Sequence, residues 1–294
     1  MAGASLLEAF ERDGVVVVPD ALPAVLLGRL QQAFAAGLAT VPPAVPEGWL
    51  AEHGGAPHGD IVPVEHPMAG AGPHGGASRR YPNVLHWDEA FLELVDNEAV
   101  RPLLAAALGE EFVLDHDYGH ALRPAAAEDG GDAQAGLPVV RGSLHHVEHC
   151  PPEPESSRLW RGTANLVTVV YDLLDAPAED GGFGSVKGSH QEGYELPISH
   201  EPHPVHGYPP LVSRVPPVAG ACVVFTETLR HCSLPWVGAG ERRTVFLKFS
   251  PADDAFRKPA EERAAQYRAL APRAAELPPR VRAILGLDTG ASKL

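Results

Sequence analysis

The sequence has few of the features that mark secreted or membrane proteins. Its 294 residues include only three cysteines, Cys150, Cys222 and Cys232, and so small and odd a number is typical of a chain kept reduced in the cytosol. No apolar run approaches the roughly 18 residues that a membrane-spanning helix needs. The segment 1–14 carries acidic residues early and has no apolar stretch of the kind found in signal peptides. We therefore expect a cytoplasmic protein without a membrane partner.

Positive charge is also in short supply. The 23 Lys and Arg residues are outnumbered by 38 Asp and Glu residues, which gives a formal net charge of −15 at pH 7. A surface of this sign repels phosphate groups, so we expect neither nucleic acid nor anionic membrane as a partner. A small-molecule substrate is compatible with this charge, because a local basic pocket can exist in an acidic protein.

Glycine and proline, by contrast, are abundant, with 30 of each. This content favours a loop-rich β protein over a helical bundle, and a hydrophobic fraction of 45% allows a sizeable core. Two stretches rich in proline and histidine, 39–80 and 191–214, are predicted to be long loops that shape a substrate pocket.

Apolar patterning predicts helices towards both ends of the chain and strands between them. Helical spacing is found in 5–12, after Pro23, in 87–108 with a break near Pro102, and in 258–286. Strand patterns occur at 15–18, 112–118, 138–149, 164–175, 183–186, 218–225 and 244–249. We find no repeat and no second core, and so expect one domain over 1–294, with a core at about 8–250 and a helical tail at about 255–287. The order of elements predicts a mainly β fold with flanking helices, of the double-stranded β-helix (jelly-roll, cupin-like) kind.

The densest group of possible metal ligands lies in 143–149, Ser-Leu-His-His-Val-Glu-His. In a strand, residues i and i+2 point to the same side, so His146 and Glu148 would face inwards and Val147 outwards. Two imidazoles and one carboxylate on one face of the metal are the ligands of mononuclear non-haem Fe(II) sites. A distant histidine such as His231 would complete this set and leave positions open for a cosubstrate and O2.

Three segments together resemble the phytanoyl-CoA dioxygenase family of Fe(II)- and 2-oxoglutarate-dependent oxygenases. They are H-x-E at 146–148, the turn from Gly-Gly to Gly-Ser-His at 181–190, and His231 followed by Arg242. The opening at 10–19, Phe-Glu-Arg-Asp-Gly-Val-Val-Val-Val-Pro, is also similar to that family. The resemblance covers roughly residues 8–250 and depends on the order and spacing of the motifs.

The resemblance implies Fe(II), 2-oxoglutarate and O2 as cofactor and cosubstrates, and it implies a role for several residues. His231 would be the distal iron ligand. Arg242 would bind the far carboxylate of 2-oxoglutarate with help from the Ser233 hydroxyl, while Arg243 would face outwards. His190 is expected to be a turn residue. The implied activity is that of an oxidoreductase that oxidises a C–H bond of a small molecule, by default a hydroxylation, as in natural-product biosynthesis.

The sequence departs from the family pattern near the metal. Glu148 stands where aspartate is usual. A subgroup of the family carries Leu-His-Gly-Gly in this position, with further motifs similar to 114–118 and 225–236 of this chain. In an alignment with that subgroup, His145 becomes the first ligand, and Val147, which cannot bind iron, takes the position of the carboxylate.

Three arrangements of ligands therefore stay open. The first is His146 with Glu148, the second is His145 with Glu148 across a β-bulge, and the third is His145 without a carboxylate. The third would correspond to a halogenase, in which chloride occupies the vacant position. A non-catalytic, metal-binding cupin-like module is a further alternative. Arg242 and Ser233 favour a cosubstrate site, because a structural metal needs no residue that binds a carboxylate.

Overall fold

Helices lie towards both ends of the chain with strands between them, as the patterning predicts. The computed structural model describes residues 3–40, 76–124, 166–191, 211–234, 236, 238–252 and 266–290. Within these residues the α-helices are α1 (Gly3–Asp13), α2 (Ala24–Thr40), α3 (Arg101–Leu108) and α4 (Pro279–Ile284). The 3-10 helices there are Val84–His86, Glu89–Leu94, Ala178–Asp180, Arg268–Glu276 and Leu287–Gly290. No helix in this part of the chain has the length and apolar character to cross a membrane.

The strands form two antiparallel sheets. In the described residues they are β1 (Val15–Val18), β2 (Gly76–Pro82), β3 (Phe112–Pro124), β4 (Val167–Asp172), β5 (Gly182–Ser185), β6 (Ser213–Val215), β7 (Cys222–Thr226), β8 (His231–Leu234) and β9 (Arg242–Pro251). The larger sheet has the order β1-β7-β4-β9-β3-β2, and the smaller sheet has the order β6-β5-β8. The prediction of a mainly β fold with flanking helices is confirmed.

Several elements differ from the predictions, and among them β6 begins within 191–214, which was expected to be a loop, and β8 was not predicted. The stretch expected to be a loop as far as residue 80 ends in a strand, β2, which pairs with β3. The sequence of β2 has little strand propensity of its own, so pairing with β3 imposes the extended conformation. The helix expected over 87–108 is divided into a 3-10 helix and α3, and Pro102 lies in the first turn of α3. A proline is tolerated there because its missing N–H has no partner to lose.

The two faces of the larger sheet contact different surroundings. On β4 and β9, residues of odd number such as Val169 and Leu247 pack into a core formed with the helices. Residues of even number such as Val170 and Phe246 point the other way, where Phe183 of β5 joins them. The interior between the two sheets is therefore lined by alternate residues of the strands that form the core.

A glycine allows the close approach of β5 and β6. Gly182 begins β5 with a φ of 126°, in the region that side chains rarely adopt. A Cβ at this position would lie 2.4 Å from the carbonyl oxygen of Val215 on β6. Glycine at position 182 is thus required by the pairing of the smaller sheet.

The C-terminal tail packs on the helix side of the larger sheet. The buried hydroxyl of Tyr267 donates to Oδ1 of Asp117 at 2.9 Å and accepts from the side-chain amide of Gln266 at 2.8 Å. Oδ2 of Asp117 accepts from the backbone N–H of Leu85 at 3.1 Å. Burial raises the pKa of Asp117 to about 6, although these hydrogen bonds favour its ionised form. The carboxyl group of Asp117 joins the tail to β3 and to the start of a 3-10 helix.

Candidate metal and cosubstrate site

The first half of the predicted metal site lies outside the described residues. His145, His146 and Glu148 fall within 125–165, as does the strand expected at 138–149. Among the residues that the structure describes, no three His, Cys, Asp or Glu side chains gather closely enough to hold a metal ion. The choice between the three ligand arrangements therefore stays a prediction. The second half of the site, around His231, is described.

His231 begins β8 and points into the interior between the sheets. The residues that alternate with it, Cys232 and Leu234, pack on the opposite face of the smaller sheet, and this fixes the direction of His231. Its buried imidazole lies near the rings of Phe183 and Phe225, at centroid distances of 5.9 and 4.5 Å. These aromatic side chains hold the imidazole in place from both sheets.

The backbone determines which ring nitrogen of His231 carries the proton. Nδ1 lies 2.7 Å from the carbonyl oxygen of Leu229, and since a carbonyl can only accept, Nδ1 must donate. In the neutral ring, Nε2 then carries a lone pair. Histidines that bind metals usually donate their other ring N–H in this way, which orients the ring and raises its basicity. His231 could therefore hold a metal ion through Nε2.

Ser233 lies on the same side of β8 as His231. It is half-buried and pairs with Phe183 of β5, whose ring belongs to the cluster between the sheets. Its hydroxyl group therefore belongs to the interior surface, as the alternation of a strand predicts.

The buried guanidinium of Arg242 forms an ion pair with Asp172. Nε and Nη2 donate to Oδ1 at 3.3 and 3.2 Å, and each side chain is 4% exposed. Arg242 begins β9 and Asp172 ends β4, so alternation directs both into the interior. Burial raises the pKa of Asp172, and Arg242 opposes that rise. Arg243 points the other way, as predicted, and donates to Glu241.

Side chains on the interior face of the larger sheet form three rows across its strands. The row that contacts His231 contains Phe225, Thr168, Lys248 and His116, the next contains Val223, Val170, Phe246 and Tyr118, and the third contains Asp172, Thr244 and His120. The first and third rows are largely polar, while the middle row is largely apolar. Arg242 follows the third row. His231 and Arg242 are therefore separated by the apolar middle row and the polar third row of the interior.

Glu227 is a residue of this interior to which the sequence assigned no role. It follows β7 and is buried beside His231. Its Oε1 accepts from the hydroxyl of Thr168 and from Nζ of Lys248, the latter at 2.8 Å, while its Oε2 lies 3.9 Å from Nε2 of His231. Burial acts to raise the pKa of Glu227, but Lys248 and His231 outweigh it and hold the pKa well below its usual range. Glu227 is therefore ionised. The sequence feature that could have identified Glu227 is its position four residues before His231, in the segment Phe-Thr-Glu.

A second acid–base pair lies in the same row. Nδ1 of His116 lies 2.6 Å from Oδ1 of Asp115, beside a register shift in β3. His116 pairs with Lys248 of β9. Burial lowers the pKa of His116, and Asp115 opposes that change. His116 thus lies across from Lys248, and Lys248 is bonded to Glu227 beside His231.

His190 lies apart from this interior. Its Nε2 donates to the carbonyl oxygen of Glu11 at 3.1 Å, and the backbone N–H of Gly188 donates to the carbonyl oxygen of Asp13 at 2.9 Å. Both hydrogen bonds join the turn after β5 to the end of α1. The position of His190 agrees with its interpretation as a turn residue.

Neither a protein-family model nor a curated protein matches the chain. Solved structures do match. HygX from Streptomyces hygroscopicus, crystallised with nickel and 2-oxoglutarate, has a TM-score of 0.57 at 17% identity, over 90% of this chain and 94% of HygX. SnoN, a non-heme α-ketoglutarate-dependent epimerase from nogalamycin biosynthesis, has a TM-score of 0.53 at 17% identity, over 85% of this chain and 83% of SnoN. AviO1 from Streptomyces viridochromogenes Tue57 has a TM-score of 0.51 at 18% identity, over 86% of this chain and 96% of AviO1.

At such identities the likeness shows a shared fold. The antiparallel sheets and flanking helices of this chain are arranged as in proteins that were crystallised with iron or nickel and with 2-oxoglutarate. The resemblance to the phytanoyl-CoA dioxygenase family in particular stays a prediction.

Proposed function

We propose that this chain is an Fe(II)- and 2-oxoglutarate-dependent oxygenase that oxidises a C–H bond of a small molecule. The observation that carries the proposal is the pair His231 and Arg242, both buried on one interior with an apolar row between them. A metal-binding imidazole and a distant guanidinium suit a cosubstrate that binds the metal at one end and has a carboxylate at the other. In this proposal the two sheets are the halves of a double-stranded β-helix, or jelly roll, of the phytanoyl-CoA dioxygenase type.

The side chains present fit a ferrous ion. His231 offers Nε2 from a ring oriented by the Leu229 carbonyl, and the Glu227 carboxylate lies beside it. Imidazole and carboxylate groups are the ligands of non-haem Fe(II), and His145 or His146 would supply the second imidazole. Bound iron with 2-oxoglutarate supplies the chemistry of O2 activation, for which no amino-acid side chain is suited.

Arg242 would bind the far carboxylate of 2-oxoglutarate. A guanidinium has five N–H donors, and the bonds to Asp172 use two of them. Ser233, on the facing sheet, would add a hydroxyl donor. Hydrogen bonds to a charged partner contribute about 1.5–3 kcal/mol each, so these donors can orient the cosubstrate along the interior.

The apolar middle row would keep water away from the cosubstrate. The first row would contact the substrate. HygX was crystallised with hygromycin B and SnoN with nogalamycin RO, which supports a small natural product as the substrate class. The strongly negative net charge argues against a polyanionic substrate. Hydroxylation is the outcome that we propose.

The test is the affinity for 2-oxoglutarate of the Mn(II)-loaded protein, measured by titration calorimetry without O2. We expect Arg242→Met to weaken binding about 100-fold, because about 2.7 kcal/mol of charge-assisted hydrogen bonding is lost. Arg243→Met is the matched control, since this neighbour faces away from the interior, and it should leave the affinity within about twofold.

Arg242→Met leaves Asp172 buried without its partner, which destabilises a protein strongly. The double variant Arg242→Met with Asp172→Asn removes both charges and should fold with the same weak binding. Equal affinity in the wild type and the double variant would contradict the role of Arg242. Succinate release by the wild type with Fe(II), 2-oxoglutarate and O2 is the second readout, and its absence would contradict the proposed function.

A further inference from the structure

The arrangement of Glu227 and His231 goes beyond the ligand sets that the sequence offers. Oε2 of Glu227 and Nε2 of His231 lie 3.9 Å apart, and both side chains are buried. Nδ1 of His231 donates to the Leu229 carbonyl, so the neutral ring presents its lone pair at Nε2. With a protonated ring the two atoms form an ion pair, and with a neutral ring a lone pair and a carboxylate oxygen lie 3.9 Å apart, an arrangement that a shared cation stabilises.

The separation of the two atoms is suitable for one metal ion. Ligand atoms of histidine and carboxylate lie about 2.1 Å from a bound metal. Two such atoms are therefore about 3.0 Å apart when they bind at right angles, and about 4.2 Å apart on opposite sides of the ion. The observed distance of 3.9 Å is about 0.9 Å longer than the right-angle value, so a shared ion on one face of which both atoms lie would draw Oε2 and Nε2 together.

The other oxygen of Glu227 is held in place. Oε1 accepts from the Thr168 hydroxyl and from Nζ of Lys248, and these donors come from β4 and β9. Hydrogen bonds of this kind orient the carboxylates that bind metals. They fix the plane of the carboxylate so that Oε2 is the oxygen on the side of His231.

We propose that Glu227 is the carboxylate ligand of the metal centre and shares the ion with His231. The inference rests on the proposed function, since it concerns the same metal. It removes the difficulty posed by Val147, because His145 can then be the first ligand without a carboxylate two residues later. A protein carboxylate at the metal also leaves no vacant ligand position for chloride, so the centre is not that of a halogenase.

The test compares two carboxylates by Mn(II) binding, with the unbound ion counted by electron paramagnetic resonance. Glu227→Gln should weaken Mn(II) binding more than about 100-fold, beyond the 10–100-fold effect of residues that only orient a ligand. Glu148→Gln should weaken it less than about threefold. The reverse order of the two effects would overturn the proposal.

Removal of Glu227 takes away an ion-pair partner of Lys248, so folding needs its own control. Glu227→Gln is also made together with Lys248→Met, and Lys248→Met alone is the reference for that double variant. The double variant should bind Mn(II) more than about 100-fold more weakly than its reference. Thermal unfolding of each variant shows which of them are folded.

Rescue of Mn(II) binding by formate distinguishes a residue that binds the metal from a residue that only contacts a metal ligand. In Glu227→Ala with Lys248→Met, added formate can occupy the vacated position and should restore Mn(II) binding at least about tenfold. In Thr168→Val, which keeps the carboxylate, formate should have no effect. Rescue that is absent from the first variant, or equal in both, would overturn the ligand role of Glu227.

The results also distinguish this inference from the proposed function. A wild-type protein that binds no Mn(II) would contradict both. Wild-type binding that depends on Glu148 and not on Glu227 would overturn this inference alone and leave the oxygenase proposal intact.

Discussion

The two faces of the six-stranded sheet come from the same strands and differ in chemistry. On the helix side, Val169, Leu247 and Phe249 are apolar and buried. On the interior side, Thr168 and Asp172 are equally buried but polar, and each is bonded to another buried polar group.

The difference shows that burial alone does not separate the core of this protein from its candidate site. A polar group taken out of water destabilises the fold unless it finds a partner, so a row of paired polar side chains needs another reason to be present. Functional sites are where such groups concentrate. We expect the helix side to determine stability and the interior side to determine binding.

Phe249→Ala, on the helix side, should have the largest effect on stability. The Phe249 ring is 1% exposed and lies 5.7 Å from the ring of Phe112. Truncation of a buried phenylalanine costs about 3–5 kcal/mol, which urea unfolding would measure. Mn(II) and 2-oxoglutarate binding per folded molecule should not change. A loss below about 1 kcal/mol would contradict the assignment of this face as the core.

Asp117 is an acidic group on the helix side, and it should make stability depend on pH. Its pKa is raised from 3.8 to about 6, so between these values the folded state holds a proton that the unfolded state has lost. Stability is then highest below about pH 4, falls as the pH rises towards about 6, and is level above that. The total fall amounts to about 3 kcal/mol.

Asp117→Asn keeps a neutral side chain at every pH and should remove this dependence. The measurement is the difference in unfolding free energy between wild type and variant, by urea unfolding from about pH 4 to about pH 7.5. We expect the variant to gain relative to the wild type as the pH rises. A difference that is constant with pH would show that Asp117 is ionised in the fold.

Thr168→Val, on the interior side, should have the smallest effect on stability. The change keeps the shape of the side chain and removes the hydroxyl that donates to Glu227, while Lys248 stays bonded to the same oxygen. We expect a loss of about 1 kcal/mol and Mn(II) binding weakened about tenfold. Thr244→Val is the matched control, with a buried hydroxyl in the third row, and should leave Mn(II) binding unchanged. If the two variants weakened Mn(II) binding equally, the first row would be no closer to the metal in its effect than the third row, which would contradict the prediction.

Sequence patterns predicted the strands that have a clear strand pattern in their own residues. The β-branched run of β1 and the alternating run of β9 each identify a strand and its faces. The strand β2 was missed because β3 imposes its conformation. The placement of His231, Ser233 and Arg243 on their faces followed from alternation alone.

The contacts of Glu227 cannot be predicted from such patterns. Its partners Thr168 and Lys248 lie 59 and 21 residues away in the chain, and no periodicity connects them. The sequence also shows no sign that Arg242 pairs with Asp172, which lies 70 residues before it. Both contacts depend on which strands become neighbours in the sheet.

The sequence by itself determined the faces on which His231, Ser233 and Arg243 lie, because side-chain direction in a strand is a local property with a period of two. Only the tertiary structure decided that Glu227 lies beside His231 and that Asp172 pairs with Arg242. Those contacts join strands that are distant in the chain, and hydrogen bonding between strands, not spacing along the chain, sets their register.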